Sequence, residues 1–337
     1  MTNLEARPGE VVCEGRAGAG VQVIGPRDVP LGGPRAMNVR RTLPSRERSL
    51  IGAWCFVDHY GPDDVSLTGG MVVPPHPHTG LQTVSWLFTG EIEHRDSAGH
   101  VAMVLPGEVN LMTGGHGISH SENTLPDGVP TLHGAQLWVA LPEASRDAPP
   151  AFAHHKPEPV KGTGWQARVF LGSLLGDTSP VETFTPLLGA ELLLQPGVIL
   201  ELPVDPTFEH GVLVDTGSVA LGIDDGESTL VAKDSLAYTP PGSQSLVLEA
   251  GERTRLLLLG GPPFGESIVM WWNFVGRSHE EIVAFRQEWQ DQITRGGTEV
   301  VGDSQDVLDG RFGIVRDNHQ APIPAPPLPN ARLRSRQ

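Results

Sequence analysis

The chain has 337 residues, 39% of them hydrophobic, enough apolar material for two domains of ordinary size. A formal net charge of −16 repels phosphate backbones and argues against direct nucleic-acid binding. No apolar stretch reaches membrane-spanning length, which argues against a membrane role, and the opening MTNLEARPGE lacks both the charged and the apolar region of a signal peptide. Two cysteines, Cys13 and Cys55, are too few for a disulfide framework and fit a reducing cytoplasm.

Forty-one glycines and 31 prolines punctuate short runs rich in Val, Leu and Thr, a pattern of many short strands and tight turns. Strands are predicted at 83–88, 136–141, 212–214 and 255–259, which gives an all-β barrel or sandwich. Between them, Asp147–Pro159 is proline-rich and aperiodic and reads as an interdomain linker, with His154 and His155 solvated. The chain also repeats itself. Leu87-Phe-Thr-Gly90 and Val214-Asp-Thr-Gly217 open turns 127 positions apart, and Leu111–Gly115 corresponds to Ala237–Gly242. Near the end, Ser278 with Glu281 forms a capping box, and Ile282, Phe285, Trp289 and Ile293 follow at helical spacing. From about Asn318 the proline-rich, basic tail is predicted to be disordered.

Chemistry concentrates in the first half, where eight of the 13 histidines lie between His59 and His133. Two dyads stand out, His76-Pro77-His78 and His120-Ser121-Glu122. On a strand, residues two apart share a face, so each dyad presents both of its groups to one point; on a helix they diverge. Facing dyads supply three imidazoles and one carboxylate, a set suited to a first-row divalent metal with positions left open. For any one His-x-His, a surface turn is the commoner meaning, but two dyads of one parity in a glycine-rich β segment favour a metal. Pro77 is compatible with a strand start. The 127-residue offset carries the dyads onto Pro203, Asp205, Val247 and Glu249, so the second half cannot repeat a three-histidine site.

The stretch His76–Trp86, followed by Gly90, His94–Ser97, Gly99, Pro106–Glu108, Met112–Gly117 and His120–Glu122, resembles the pirin family of the cupin superfamily. Phe56–His59, His133–Val139, Leu259–Glu266 and Asn273–Phe285 extend the resemblance over most of residues 20–290. The resemblance implies a bicupin, two antiparallel β-barrels face to face. On this reading residues 1–146 form the metal barrel, 147–160 a linker, and 161–296 a barrel without metal ligands plus a helix at about 279–293. Residues 297–337 form a C-terminal extension. The family's ligands fall on His76, His78, His120 and Glu122, for one divalent ion, iron(II) first, with manganese, nickel, copper, cobalt or zinc as alternatives.

Gln82 stands where general cupins often carry a metal-binding glutamate, and His116 where pirins carry arginine, which bears on pocket charge. Phe56, Asp58, His94, His100, His116, His133 and Gln136 are candidates to line the cavity or orient the ligands; Cys55 is expected to be a buried, inert thiol. Some pirin-like proteins are quercetinases, which implies a polyphenol and O₂ as substrates and Glu122 as the catalytic base. Other pirins are non-enzymatic, iron-dependent binding proteins that modulate a transcription factor or metabolic enzyme, which for this acidic chain implies a basic protein partner. A closed or hydrolytic zinc site is a third reading.

Overall fold

The computed structural model describes residues 20–31, 37–125, 127–224 and 226–335. Cys13, Arg336 and the opening residues read for a signal peptide lie outside the described residues. Two barrels result, each a seven-stranded antiparallel sheet closed by a four-stranded one. In the first, the large sheet runs Ala151–His155, Val109–Thr113, Leu81–Thr89, Thr131–Ala140, Trp54–Asp64, Met37–Leu43, Arg27–Leu31. Its small sheet runs Val72–His78, Ile118–Asn123, Ile92–Asp96, Val101–Val104.

The second barrel repeats both orders strand for strand. Its large sheet runs Gln22–Ile24, Leu236–Thr239, Glu209–Thr216, Thr254–Gly261, Leu188–Leu194, Trp165–Leu171, Val160–Gly162. Its small sheet runs Val198–Pro203, Ser245–Ala250, Val219–Ile223, Thr229–Val231. The duplication glimpsed in two short turn motifs therefore extends to the whole topology. Of the four strands predicted from composition, 83–88, 212–214 and 255–259 fall inside observed ones, and 136–141 runs one residue past the end of Thr131–Ala140.

Two expectations about the boundary between the units need correction. The segment 147–160 is no free linker: Ala151–His155 pairs with Val109–Thr113 of the first barrel, and Val160–Gly162 begins the second. Conversely Gln22–Ile24, placed by sequence in the first unit, pairs with Leu236–Thr239 of the second. Each barrel thus borrows an edge strand from across the boundary, a long-range pairing that no local signal encodes.

The large sheets pack face to face, and alternation explains how one strand serves two cores. Val57, Val84, Trp86, Ala135 and Leu137 meet Phe170, Leu213, Leu257 and Leu259 between the barrels, with Trp86 stacked on Phe170 at 4.6 Å. The alternate residues face their own barrel's interior.

The helix His279–Ile293 begins at Ser278, whose side chain accepts from the Glu281 amide. The Glu281 carboxylate reaches back to the Arg277 amide at 2.7 Å, so the capping box closes one residue early. The tail predicted to be disordered is ordered over its described residues. Phe312, Ala325 and Leu333 are buried against Trp272, Phe274, Trp289 and Ile293. Trp289 Nε1 donates to the Ile323 carbonyl, and the Ile323 amide donates to the Pro75 carbonyl at 2.8 Å. Prolines fix an extended backbone whose free carbonyls accept from the body, so composition typical of disorder here makes a strap.

Candidate metal centre

Strands Val72–His78 and Ile118–Asn123 pair antiparallel with His120 opposite His76 and Ile118 opposite His78. The register then shifts, and Glu122 faces Val73. The extra residue falls in the stretch containing Pro74 and Pro75, which cannot donate to a ladder; the strand is an edge strand, where proline is tolerated. His76, His78, His120 and Glu122 are all buried.

The donor atoms of His76, His78 and His120 lie within 4.8 Å of one another, and the same holds for His94, His120 and Glu122. Nε2 of His78 stands 3.1 Å from Nε2 of His120. Metal–imidazole bonds of about 2.0–2.1 Å place two nitrogens at right angles on one ion roughly 3 Å apart. The spacing fits a shared ion.

Hydrogen bonds fix each ring's tautomer. His76 Nδ1 donates to the Pro74 carbonyl at 2.9 Å, and His78 Nδ1 to the Asn273 carbonyl at 3.2 Å. His120 Nδ1 faces His94 Nδ1 at 3.3 Å, while His94 Nε2 faces the Asp96 carboxylate at 3.2 Å. His94 Nε2–H donates to the Asp96 carboxylate, which leaves His94 Nδ1 to accept from His120 Nδ1–H. All three ligand candidates then turn a bare Nε2 lone pair outward from these bonds. His76 Nε2 is buried with no hydrogen-bond partner among the described residues, as a ligand atom would be.

Burial pushes the His76 imidazole down to about 4, and holds those of His78 and His120 well below the usual range. The rings are therefore neutral at pH 7, and a cation displaces no proton from them.

The remaining sequence candidates divide. His94 touches a ligand ring, and His100 supports it through Asp96 at 3.0 Å. Phe56 stacks on Trp138 at 4.0 Å, and Trp138 meets His78 edge to face at 5.1 Å. Asp58 is held by Arg41 through two hydrogen bonds, and Gln136 by Ser85. His116 Nδ1 lies 3.4 Å from the Ala148 carbonyl. Its own carbonyl is held by Arg311 of the tail. His154 is exposed, as expected, and its ring also bonds Asn110 at 2.6 Å. Cys55 is buried, its thiol against the Trp138 carbonyl.

His133 belongs elsewhere. With His59 it converges on Asp215 of the second barrel, at 2.5 and 2.7 Å. At those separations His59 hydrogen-bonds the Asp215 carboxylate and His133 pairs with it. Burial opposes ionisation of Asp215, yet bonds from His133 and His59 outweigh it and hold the carboxyl below its ordinary range. His59 Nδ1 also lies 3.2 Å from Asp234, and Arg255 lies 3.3 Å from Asp215, so charge joins the two barrels at this point.

Sequence reasoning missed Asn273, whose carbonyl comes from 195 residues away to orient His78. It also missed Asp215, because an aspartate on a second-barrel strand carries no local sign of a histidine partner 156 residues earlier.

Two face-to-face antiparallel barrels, one with a buried imidazole–carboxylate cluster on paired strands, define a bicupin. Within that class the chain belongs to the pirin family: Pirin matches residues 36–139 and the Pirin C-terminal cupin domain residues 189–294. It is 42% identical over 314 residues to a Pseudomonas aeruginosa protein named as a candidate quercetin 2,3-dioxygenase, covering 92% of this chain and 91% of that one. It is 36% identical to a pirin-like protein of Caulobacter vibrioides, covering 75% and 88% of the two chains. The crystal structure of quercetin 2,3-dioxygenase from Acinetobacter baumannii superposes with a TM-score of 0.82 at 35% identity, covering 94% and 97%. Among the described residues no helix is long and apolar enough to cross a membrane.

Two outcomes are expected from this geometry. Replacing His94 with alanine removes the acceptor that orients His120, and affinity for a divalent metal falls about ten- to a hundredfold by competition titration. Metal-free protein loses stability as pH falls below about 6.5, because the unfolded histidines take up protons that the buried ones refuse. For His76, whose folded value is about 4, the loss reaches roughly 3 kcal/mol by pH 4, read by urea unfolding at stepped pH.

Proposed function

We propose that this protein is a dioxygenase of quercetinase type that opens flavonol-like rings in a reducing cytoplasm, with His76, His78, His120 and Glu122 holding one divalent ion, iron(II) first. The observation that carries the reading is the network of Pro74, Asn273 and His94, which leaves three neutral imidazoles with their Nε2 lone pairs free on paired strands that also carry a buried carboxylate. Relatives that cover more than nine-tenths of the chain bear the quercetin 2,3-dioxygenase name.

When bound, the ion lowers the pKa of a substrate hydroxyl and offers open positions for the substrate and O₂. The three imidazoles hold the ion's geometry, and their own protons stay committed to Pro74, Asn273 and His94. Glu122 accepts the substrate's enolic proton at a carboxylate oxygen, the general-base role for which a buried acceptor beside the substrate suffices. Burial of the strands excludes water that would compete for that proton.

Iron-loaded protein incubated with quercetin in air is expected to consume oxygen and yield the ring-opened depside, seen by mass spectrometry. Glu122→Gln is expected to lower kcat/KM by about a hundredfold or more. Absence of product from the native protein at every metal loading would sink the assignment.

A further inference from the structure

We propose that Tyr60, Gln136 and Trp138 form the recognition wall of the first barrel, three buried donors that face the imidazole cluster and select a flat, acceptor-rich oxyanion such as an enolate or catecholate. The inference rests on the dioxygenase reading and adds to it the residues that choose the substrate.

Register places the three on one face. Gly134 pairs with Tyr60, Gln136 with Asp58 and Trp138 with Phe56 along the two central strands of the large sheet. Residues of opposite parity, Val57, Ala135 and Leu137, are spent in the core between the barrels. Period-two alternation therefore turns Tyr60, Gln136 and Trp138 toward the small sheet that carries the ligand dyads. Contacts agree: Trp138 meets His78 edge to face, and Tyr60 packs in one cluster with Val73, the residue opposite Glu122. Gly134 makes room for the phenol, since a Cβ there would lie 3.0 Å from the Tyr60 hydroxyl.

Each of the three ends in a buried donor that lacks a hydrogen-bond partner among the described residues: Tyr60 Oη, Gln136 Nε2 and Trp138 Nε1. The Gln136 amide is oriented, because its Oε1 accepts from Ser85 Oγ at 2.8 Å and Nε2 is left over. Burial first, and the Glu122 carboxylate second, oppose loss of the Tyr60 proton, so the phenol stays a donor. The neighbouring acceptor, Asp58, is engaged by Arg41. Unpaired buried donors are costly, and several on one wall point to a ligand that pairs them.

The second barrel supplies the contrast. In its small sheet, Leu200 and Leu202 pair with Leu248 and Leu246, at the places where the first barrel sets its dyads. The same topology packed for stability alone is filled with leucine.

The test uses zinc-loaded protein, which is redox-inert, titrated without oxygen against quercetin and, separately, 4-nitrocatechol, with bound ligand read by its absorbance shift. Tyr60→Phe and Gln136→Leu are each expected to weaken binding about five- to tenfold, the loss of one net hydrogen bond. Tyr60→Phe is also expected to raise the melting temperature of ligand-free protein, since it deletes an unpaired buried hydroxyl. Native protein that binds quercetin equally well with and without both substitutions overturns the wall and leaves the flavonol reading standing. Native protein that binds 4-nitrocatechol but not quercetin removes the flavonol reading, and the variants' catechol affinities then decide the wall. Binding of neither ligand overturns the wall as well.

Discussion

The pairing of Val72–His78 with Ile118–Asn123 in one register is the constraint from which the rest follows. Side chains on a strand alternate with period two, so a slip of one residue would turn His120 and Glu122 to the outer face. His120 opposite His76, with a register shift before Glu122, is the arrangement that brings donors from both strands together. The register is held from outside. Ile323 of the tail bonds the Pro75 carbonyl, and Asn318 bonds the Ser121 hydroxyl at 3.0 Å. A sheet edge that prolines leave poor in donors is thus covered by the chain's own C-terminal segment.

Duplication let one barrel specialise. Both copies share strand order, yet the first keeps polar groups inside and the second fills the equivalent space with leucine. Borrowed edge strands and the His59–His133–Asp215 cluster lock the copies together. Buried ion pairs give little net stability but penalise misalignment, because a separated partner is left charged and dry. The cluster's value is therefore orientation, which also brings the Asn273 carbonyl from beyond the second barrel to His78.

Much of this was legible in the chain. The dyads declared strand geometry because only period two brings i and i+2 together, and the helix declared itself through Ser278 and its apolar spacing. What stayed hidden had one of two causes. Asn273, Asp215 and the exchanged strands act across large sequence separations, where no local pattern records the partner. The tail and the 147–160 segment misled because proline marks both disorder and extended ordered backbone, and only packing of residues such as Phe312 and Leu333 tells them apart. The offset between the halves ran close to the truth: Val247 lies in the strand equivalent to that of His120, though leucines rather than the mapped residues line the interior.

Most direct is X-ray absorption at the metal edge of iron-loaded protein, read beside the same spectrum from a His76→Ala, His120→Ala double variant. The account expects three imidazole nitrogens and one carboxylate oxygen at about 2.0–2.2 Å in the native protein, and loss of that shell in the variant. A sulfur ligand, or an unchanged spectrum after both substitutions, would contradict it.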